Sequence, residues 1–170
     1  MASTEVDGPT ARTHDVEYTA TGLPSNTGVG NLIYIYNANN LKAIDVSAYI
    51  NALGYFDVSA AVDVNGGSNL KSIKLGDGEN TNAYLEAISG LDRQSGIEEI
   101  DIRGYQGITS LGLNNLYDLK VFKAANSGLT SFEPAAGIHL TNVSLPSSLQ
   151  VLSLDSVTLY SYDIFDYTPT

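Results

Sequence analysis

The 170-residue sequence contains no cysteine and no tryptophan. The absence of cysteine excludes disulfides, thiolate metal sites and cysteine nucleophiles. No stretch approaches the ~20 apolar residues that a membrane-spanning helix needs. The first residues, MASTEVDGPTARTHD, lack the basic start and apolar run of a signal peptide. We therefore expect a protein made in a bacterial-type cytoplasm, with no membrane as a partner.

Basic residues are also scarce. Eight Lys and Arg oppose nineteen Asp and Glu, which gives a formal net charge of −11. Binding to nucleic acid needs a concentrated positive patch that releases counterions. The basic residues are instead spread singly along the chain, so we expect no nucleic-acid partner; they are Arg12, Lys42, Lys71, Lys74, Arg93, Arg103, Lys120 and Lys123.

Groups that perform catalysis are few. The sequence has two histidines, His14 and His139, and neither a G-x-S-x-G elbow nor a phosphate-binding glycine loop. The segments GDGEN (76–80) and DVNGGSN (63–69) place acidic and amide residues near glycines, as calcium loops do, but ordinary turns explain them better. We expect no enzyme activity, no catalytic residue, no cofactor and no bound metal.

What the sequence does contain is a repeated pattern of apolar residues. LQVLSLDSVTL (149–159) has Leu or Val at spacings of three, two, three and two residues, and related segments begin at 41, 70, 97 and 119. Recurrence every 20–30 residues is typical of a solenoid, in which each short strand buries its inward face only by stacking on its neighbours. The four earlier segments are LKAIDV, LKSIKL, IEEIDI and LKVFKA.

On these residues the chain, over about residues 32–159, resembles the leucine-rich repeat family, whose pattern is L-x-x-L-x-L-x-x-N-x-L. LQVLSLDSVTL matches every leucine-type position of that pattern, and the preceding LPSSL resembles bacterial repeats. The resemblance implies an α/β or mainly β solenoid with a short parallel sheet, irregular loops and one or two short helices. The sequence departs from the family at the asparagine position, which holds Tyr49, Gly78, Tyr105, Ser127 and Val157.

The position of the last repeat stays open in the sequence. LTNVSL (140–145) also fits the first half of the pattern, either as the true strand or as a strand on a second wall, and ITSLGL (108–113) raises the same question. Helical spacing in NAYLEAISGL (82–91), and Ser47 as an N-cap before AYINAL, predict two short helices. VSAAVDV (58–64) is typical of a strand but falls outside the repeats.

Alignment of the repeats predicts two outward columns on the sheet. One column holds a surface ladder of alternating charge, Asp45, Lys74, Asp101 and Lys123, followed by Ser153. Opposite charges on neighbouring strands stabilise a sheet mildly, and they also serve as a polar recognition stripe in the alternative interpretation. The other column ends in Val121 and Val151, which we interpret either as part of an interface or as incidental exposure.

The two ends differ from the repeats in composition. Residues 1–31 are polar and predict either an arm that docks on a neighbouring subunit or an N-terminal cap in which Val16 and Tyr18 form an edge strand. Residues 160–170 crowd aromatic side chains among acidic ones, which predicts a docking tail or a final strand that covers the last repeat. The aromatic residues of this segment include Tyr160, Tyr162, Phe165 and Tyr167.

These features predict a non-enzymatic structural, protein-binding subunit of a large assembly, most simply a bacteriophage virion component such as a capsid decoration, head-fibre or tail-associated protein. Its partners would be other protein subunits or further copies of the same chain. A bacterial surface or secreted leucine-rich repeat recognition module is one alternative. A β-solenoid enzyme acting on carbohydrate, with Glu99 and Asp101 as the carboxylates to test, is the other.

Overall fold

The computed structural model describes residues 3–7, 16–19, 31–36, 41–47, 53–60 and 69–164. Within these residues the protein is mainly β, and every strand pairing is parallel. A 3-10 helix spans Leu91–Arg93, and Ser47 also has 3-10 conformation. In chain order the strands are β1 (Ser3–Asp7), β2 (Val16–Thr19), β3 (Asn31–Tyr36), β4 (Leu41–Asp45), β5 (Leu53–Ala60), β6 (Ser72–Lys74), β7 (Ile88–Ser89), β8 (Glu99–Asp101), β9 (Val121–Lys123), β10 (Ser131–Phe132), β11 (His139–Leu140), β12 (Asn142–Leu145), β13 (Val151–Leu152), β14 (Thr158–Leu159) and β15 (Tyr162–Ile164).

The described strands form four sheets. The largest has the order β15-β12-β9-β8-β6-β4-β2. Because its strands are parallel, a crossover connection joins each strand to its neighbour. A four-stranded sheet has the order β1-β3-β5-β7, and β10-β13 and β11-β14 are two-stranded sheets. Along the chain, strands of the two large sheets alternate from β1 to β8; after that, β9 and β12 are each followed by one strand of each small sheet.

The repeated apolar residues form the centre of the core. Ile44, Ile73, Ile100, Phe122 and Val143 lie side by side in register across five neighbouring strands of the largest sheet. Each of them is at most 1% exposed, so the row is dry along its length. The flanking apolar residues of each repeat are buried as well: Leu41, Val46, Leu70, Leu75, Ile97, Ile102, Leu119, Ala124, Leu140 and Leu145. Adjacency of the segments at 70–75, 97–102 and 119–124, on which the repeat interpretation depends, is confirmed.

Of the two candidate segments, 140–145 rather than 149–154 contributes a strand to this sheet, and β15 lies beyond it at the edge. β12 pairs with β9, whereas β13 pairs with β10 in a different sheet. The alternative that the sequence left open is therefore decided in favour of 140–145 for this sheet, although 149–159 matches the pattern better. ITSLGL (108–113) buries Ile108 and Leu113 without forming a strand in this part of the chain.

The helix predicted over 82–91 was also wrong. The chain there forms β7 and pairs with β5. The side-chain oxygen of Asn82 accepts hydrogen bonds from the backbone N–H groups of Tyr84 and Leu85, at 2.7 and 3.0 Å, as at a helix N-cap, but no helix follows. Leu85, Ile88 and Leu91 are nevertheless all buried, so the spacing identified the core residues correctly.

Other predictions near these elements have mixed outcomes. Most of the helix predicted after Ser47 lies outside the described residues, and Leu53 begins β5 instead. Residues 58–60 of VSAAVDV belong to β5, which gives that segment its place; 61–64 lie outside the described residues.

Both ends of the chain contribute strands to the sheets. β1 pairs with β3 and β2 pairs with β4, which matches the edge-strand alternative for Val16 and Tyr18. β15 pairs with β12 at the opposite edge of the largest sheet, which matches the final-strand alternative for the C-terminal segment.

Candidate protein-docking surface

The four positions of the predicted ladder lie in register on the largest sheet. Asp45, Lys74, Asp101 and Lys123 occupy neighbouring positions on β4, β6, β8 and β9, and the next position is Ser144 rather than Ser153. The Lys74 ammonium lies 3.0 Å from the Asp45 carboxylate. Burial tends to raise the pKa of Asp45, but hydrogen bonds from Ser47 and Lys74 outweigh it, so the pKa lies below its ordinary value.

Asp101 does not take part in the ladder as predicted, because its side chain is fully buried. Arg103, two residues later, folds over it: Arg103 Nε and Nη2 donate to the two carboxylate oxygens at 2.9 and 2.7 Å. The backbone N–H of Arg103 donates to the same carboxylate at 3.1 Å. These hydrogen bonds and the charge of Asp101 raise the pKa of Arg103. The carboxylate is therefore covered by its own neighbour, while the Arg103 side chain stays 30% exposed.

Most of the remaining charges on this face are paired within the chain. Lys123 lies 2.9 Å from Glu99. Glu98 contacts Lys120 at 2.5 Å and Lys71 at 3.3 Å, and these two hydrogen bonds lower its pKa. Glu99 and Asp101, the carboxylates of the enzyme alternative, therefore each lie in an ion pair. A face whose charges are neutralised in this way has little to offer a charged partner.

At β13 and β14, in contrast, apolar side chains are exposed. We call these two strands, together with Tyr160, the C-terminal edge. Leu152 on β13 is 40% exposed, whereas Phe132, its neighbour on β10, is fully buried against Phe122 at a ring-centroid distance of 4.8 Å. Val151 is 49% exposed and Tyr160 is 69% exposed. Leu152 occupies a position of the repeat that is interior elsewhere, so the apolar core reaches the surface at this edge.

The backbone of the C-terminal edge is open on one side. The N–H groups of Val151 and Ser153 donate to β10 and its flank, at 3.0 Å each. Because backbone groups alternate in direction along a strand, the N–H and C=O of Leu152 point away from β10. The same holds for Leu159, since Thr158 and Tyr160 both donate towards β11. No strand of the described residues pairs with the free sides of β13 and β14.

The charges near this edge are acidic and lack cationic partners. Glu133 follows β10 and Asp155 follows β13, and both are exposed. No ion pair involving either carboxylate occurs among the described residues. Lys123 is the last basic residue in the sequence, while residues 124–170 contain Glu133, Asp155, Asp163 and Asp166. His139 packs beside Tyr160, with ring centroids 6.3 Å apart.

The structure separates the interface residues that the sequence predicted. Val151 and Tyr160 lie at the C-terminal edge. Val121 is half-buried in the largest sheet beside Asn142, so it does not form a column with Val151 as predicted. Val16 and Tyr18 lie in β2, which pairs with β4, and Tyr162 begins β15. Phe165 and Tyr167 lie outside the described residues.

Sequence reasoning missed Leu152 as a surface residue, because the pattern assigned it to the core. The signal available in the sequence was the change in charge after Lys123, where acidic residues continue and basic residues stop. The repeats at 70–75 and 119–124, before that point, carry lysines that pair with carboxylates of neighbouring repeats. After Lys123 this pairing stops, and the C-terminal edge, with its exposed apolar residues, lies in that part of the chain.

Other kinds of site were sought in the same part of the chain. The described residues contain no group of three or more His, Asp or Glu side chains able to hold a metal ion. Asp77, in the segment considered for calcium, instead accepts hydrogen bonds from the backbone N–H groups of Glu79 and Asn80, at 2.9 Å each, as in an ordinary turn. A helix of membrane-spanning length and hydropathy does not occur among the described residues.

Comparison with known proteins finds no family model, no curated protein and no solved structure that matches this chain.

Proposed function

We propose that the chain is a leucine-rich-repeat-like solenoid that acts by binding protein, as a non-enzymatic structural subunit that docks through its C-terminal edge. The solenoid is supported by the register of the apolar row, in which Ile44, Ile73, Ile100, Phe122 and Val143 stack across five strands. It is further supported by the regular order in which the chain visits its sheets. Stacked repeats of this kind need a cap or a partner at each end.

The observation that carries the docking proposal is the exposure of Leu152. A leucine in an interior repeat position is 40% exposed, and the strand that contains it has an open backbone edge. Exposed apolar edges are aggregation sites unless something covers them, so a partner at this position is physically favoured. Val151 and Tyr160 are exposed as well, and tyrosine is enriched in protein interfaces.

The assembly that we propose is a bacteriophage particle, in which the chain would be a capsid-associated, head-fibre or tail-associated subunit. Three features support this choice: the chain has no thiols, it has a large excess of acidic residues, and its apolar edge is suited to permanent burial in an assembly.

Site-specific photo-crosslinking tests the docking proposal. A photoreactive phenylalanine analogue is placed at Val151 in the chain as produced in its native source, and in a matched control at Tyr117, which is 64% exposed. We expect a discrete higher-mass crosslinked protein from position 151 and none from position 117, because only the former lies at the C-terminal edge.

Equal crosslinking from both positions would indicate contacts made at random and would contradict docking at this edge. Absence of any crosslink from position 151, with the chain shown to be folded by circular dichroism, would contradict the proposal as well. Mass spectrometry of the crosslinked band identifies the partner, and a virion protein in that band is the expected result.

A further inference from the structure

We infer that the C-terminal edge binds an extended polypeptide segment of a partner protein, which adds as a strand beside β13 and carries Lys or Arg next to its apolar residues. This inference rests on the docking function proposed above and specifies the chemistry of the partner. Three independent features of the edge lead to it: backbone direction, apolar exposure and unpaired carboxylates.

The backbone feature determines the shape of the ligand. The N–H groups of Val151 and Ser153 are used towards β10 and its flank, so the N–H and C=O of Leu152 are directed outward. Groups with this spacing are matched by a strand, since a helix satisfies its own backbone groups internally. Addition of an extended peptide to an open sheet edge is a general mode of protein recognition.

The side chains determine what that strand carries. Leu152 is 40% exposed and faces the same side of the sheet as its buried partner Phe132, so an added strand needs an apolar residue beside it; Val151, 49% exposed, faces the opposite side. Hydrogen bonds to the backbone would give affinity to any extended chain, whereas the apolar contact selects a segment with alternating apolar residues.

Charge determines the residues that flank the apolar ones. Glu133 and Asp155 are exposed, and each follows one of the two paired strands, β10 and β13. Neither has a cationic partner among the described residues, unlike Asp45, Glu98 and Glu99 on the largest sheet. A basic residue on the ligand would supply the missing charge.

The same charges argue against a second copy of this edge as the occupant. Two such edges face to face would bring two copies of Glu133 and Asp155 together, and the sequence after Lys123 has no Lys or Arg to separate them. Like charges brought together at an interface suppress association.

The test uses a short peptide of alternating valine and threonine with a lysine at each end, and a matched peptide with glutamate at each end. Binding to the full chain is measured by fluorescence anisotropy at low and at physiological ionic strength. We expect the lysine peptide to bind at least about tenfold more tightly than the glutamate peptide at low ionic strength, with a smaller difference as salt screens the charges.

Two pairs of variants locate the binding. Glu133→Lys with Asp155→Lys is expected to reverse the preference between the peptides, whereas Glu86→Lys with Asp92→Lys, an equal charge change at exposed positions elsewhere, leaves the preference in place. Leu152→Pro removes the outward N–H and is expected to abolish binding, whereas Leu152→Ala retains that N–H and keeps part of the affinity.

Several results would overturn the inference. These are equal binding of both peptides, equal loss of affinity in the two charge variants, and equal affinity of the Pro and Ala variants. Binding that appears only after Phe165→Ala with Tyr167→Ala would show that the chain's own residues cover the edge, and a dimer disrupted by Leu152→Ala would show that a second copy does. If crosslinking at Val151 succeeds while the lysine peptide fails to bind, the docking function stands and strand addition by a basic segment is wrong; failure of both experiments removes both.

Discussion

Substitution of Gly128 by alanine tests the close stacking of successive segments, on which the proposed solenoid depends. A Cβ at position 128 would lie 2.0 Å from the carbonyl oxygen of Gln106 and 3.3 Å from that of Ile108. The backbone N–H of Gly128 also donates to the carbonyl oxygen of Tyr105 at 3.1 Å, and this hydrogen bond holds the two segments together. The added methyl group therefore meets main chain rather than a side chain that can rotate away.

The cost follows from this geometry. Non-bonded heavy atoms need roughly 3.5 Å between them, so the two segments must separate by about 1 Å or more. Overpacking of this kind costs about 1–3 kcal/mol and occasionally more, and the weakened backbone hydrogen bond adds about 0.5–1.5 kcal/mol. We expect Gly128→Ala to lower the free energy of unfolding by about 2–4 kcal/mol.

Gly112→Ala is the matched control. No heavy atom lies within 4 Å of a Cβ at position 112, and neither glycine has a positive φ that alanine would resist. The substitution restricts the unfolded chain equally in both variants, so Gly112→Ala should be neutral or stabilising by up to about 1 kcal/mol. The difference between the variants corresponds to a shift in the unfolding midpoint of roughly 4–20 °C.

Thermal and urea unfolding followed by circular dichroism measure the two variants side by side. Equal stability of Gly128→Ala and Gly112→Ala would refute the reasoning, because residues 105–108 and 127–129 could not then be stacked as described. A change in the slope of the urea transition would instead report an altered unfolded or native state and would require a second substitution, Gly76→Ala, whose Cβ would lie 2.2 Å from the carbonyl oxygen of Arg103.

Two further predictions concern the ionised side chains of the largest sheet. Arg103→Met should lower the free energy of unfolding by about 2–3 kcal/mol, because it leaves the buried carboxylate of Asp101 without its guanidinium partner. Adding Asp101→Asn should restore part of that loss. A double-mutant cycle from urea unfolding measures the coupling between the two residues, and additive effects would contradict the pairing. The pKa of Glu98 is lower in the folded chain than in the unfolded chain. Its ion pairs therefore stabilise the fold above the unfolded-state pKa of about 4.3, and that stability is lost as the pH falls through the lower folded-state pKa. Glu98→Gln should flatten the acid side of the profile of stability against pH, and an unchanged profile would show that the contacts of Glu98 with its lysines contribute nothing measurable.

The local part of the fold could be predicted from the sequence. Apolar residues at the spacing of LKSIKL or IEEIDI leave one face of a short strand without cover, and their recurrence predicts strands that stack side by side. The register of that stack, from Ile44 to Phe122, also followed from the alignment, because a shift of one residue would turn the apolar side chains outward. The same alignment placed Lys74 beside Asp45.

The choice between two similar segments was decided by tertiary structure. LQVLSLDSVTL fits the repeat pattern better than LTNVSL, yet β12 at 142–145 lies in the largest sheet. Both segments form parallel strands that follow the preceding repeat, so the local pattern does not distinguish which wall each one joins. Only the folded chain shows that Asn142 pairs with Val121, 21 residues before it, while β13 pairs with β10.

The properties that bear on function depended on the tertiary structure most of all. The sequence by itself determined the acidic charge, the absence of thiols, the strand-forming repeats and their common apolar row. It did not determine that Asp101 is enclosed by Arg103 while Leu152 is exposed, because the pattern gives the direction of a side chain from its own strand only. Whether that side chain is then covered depends on which other segment passes over it, and segments far apart in sequence meet only in the folded chain.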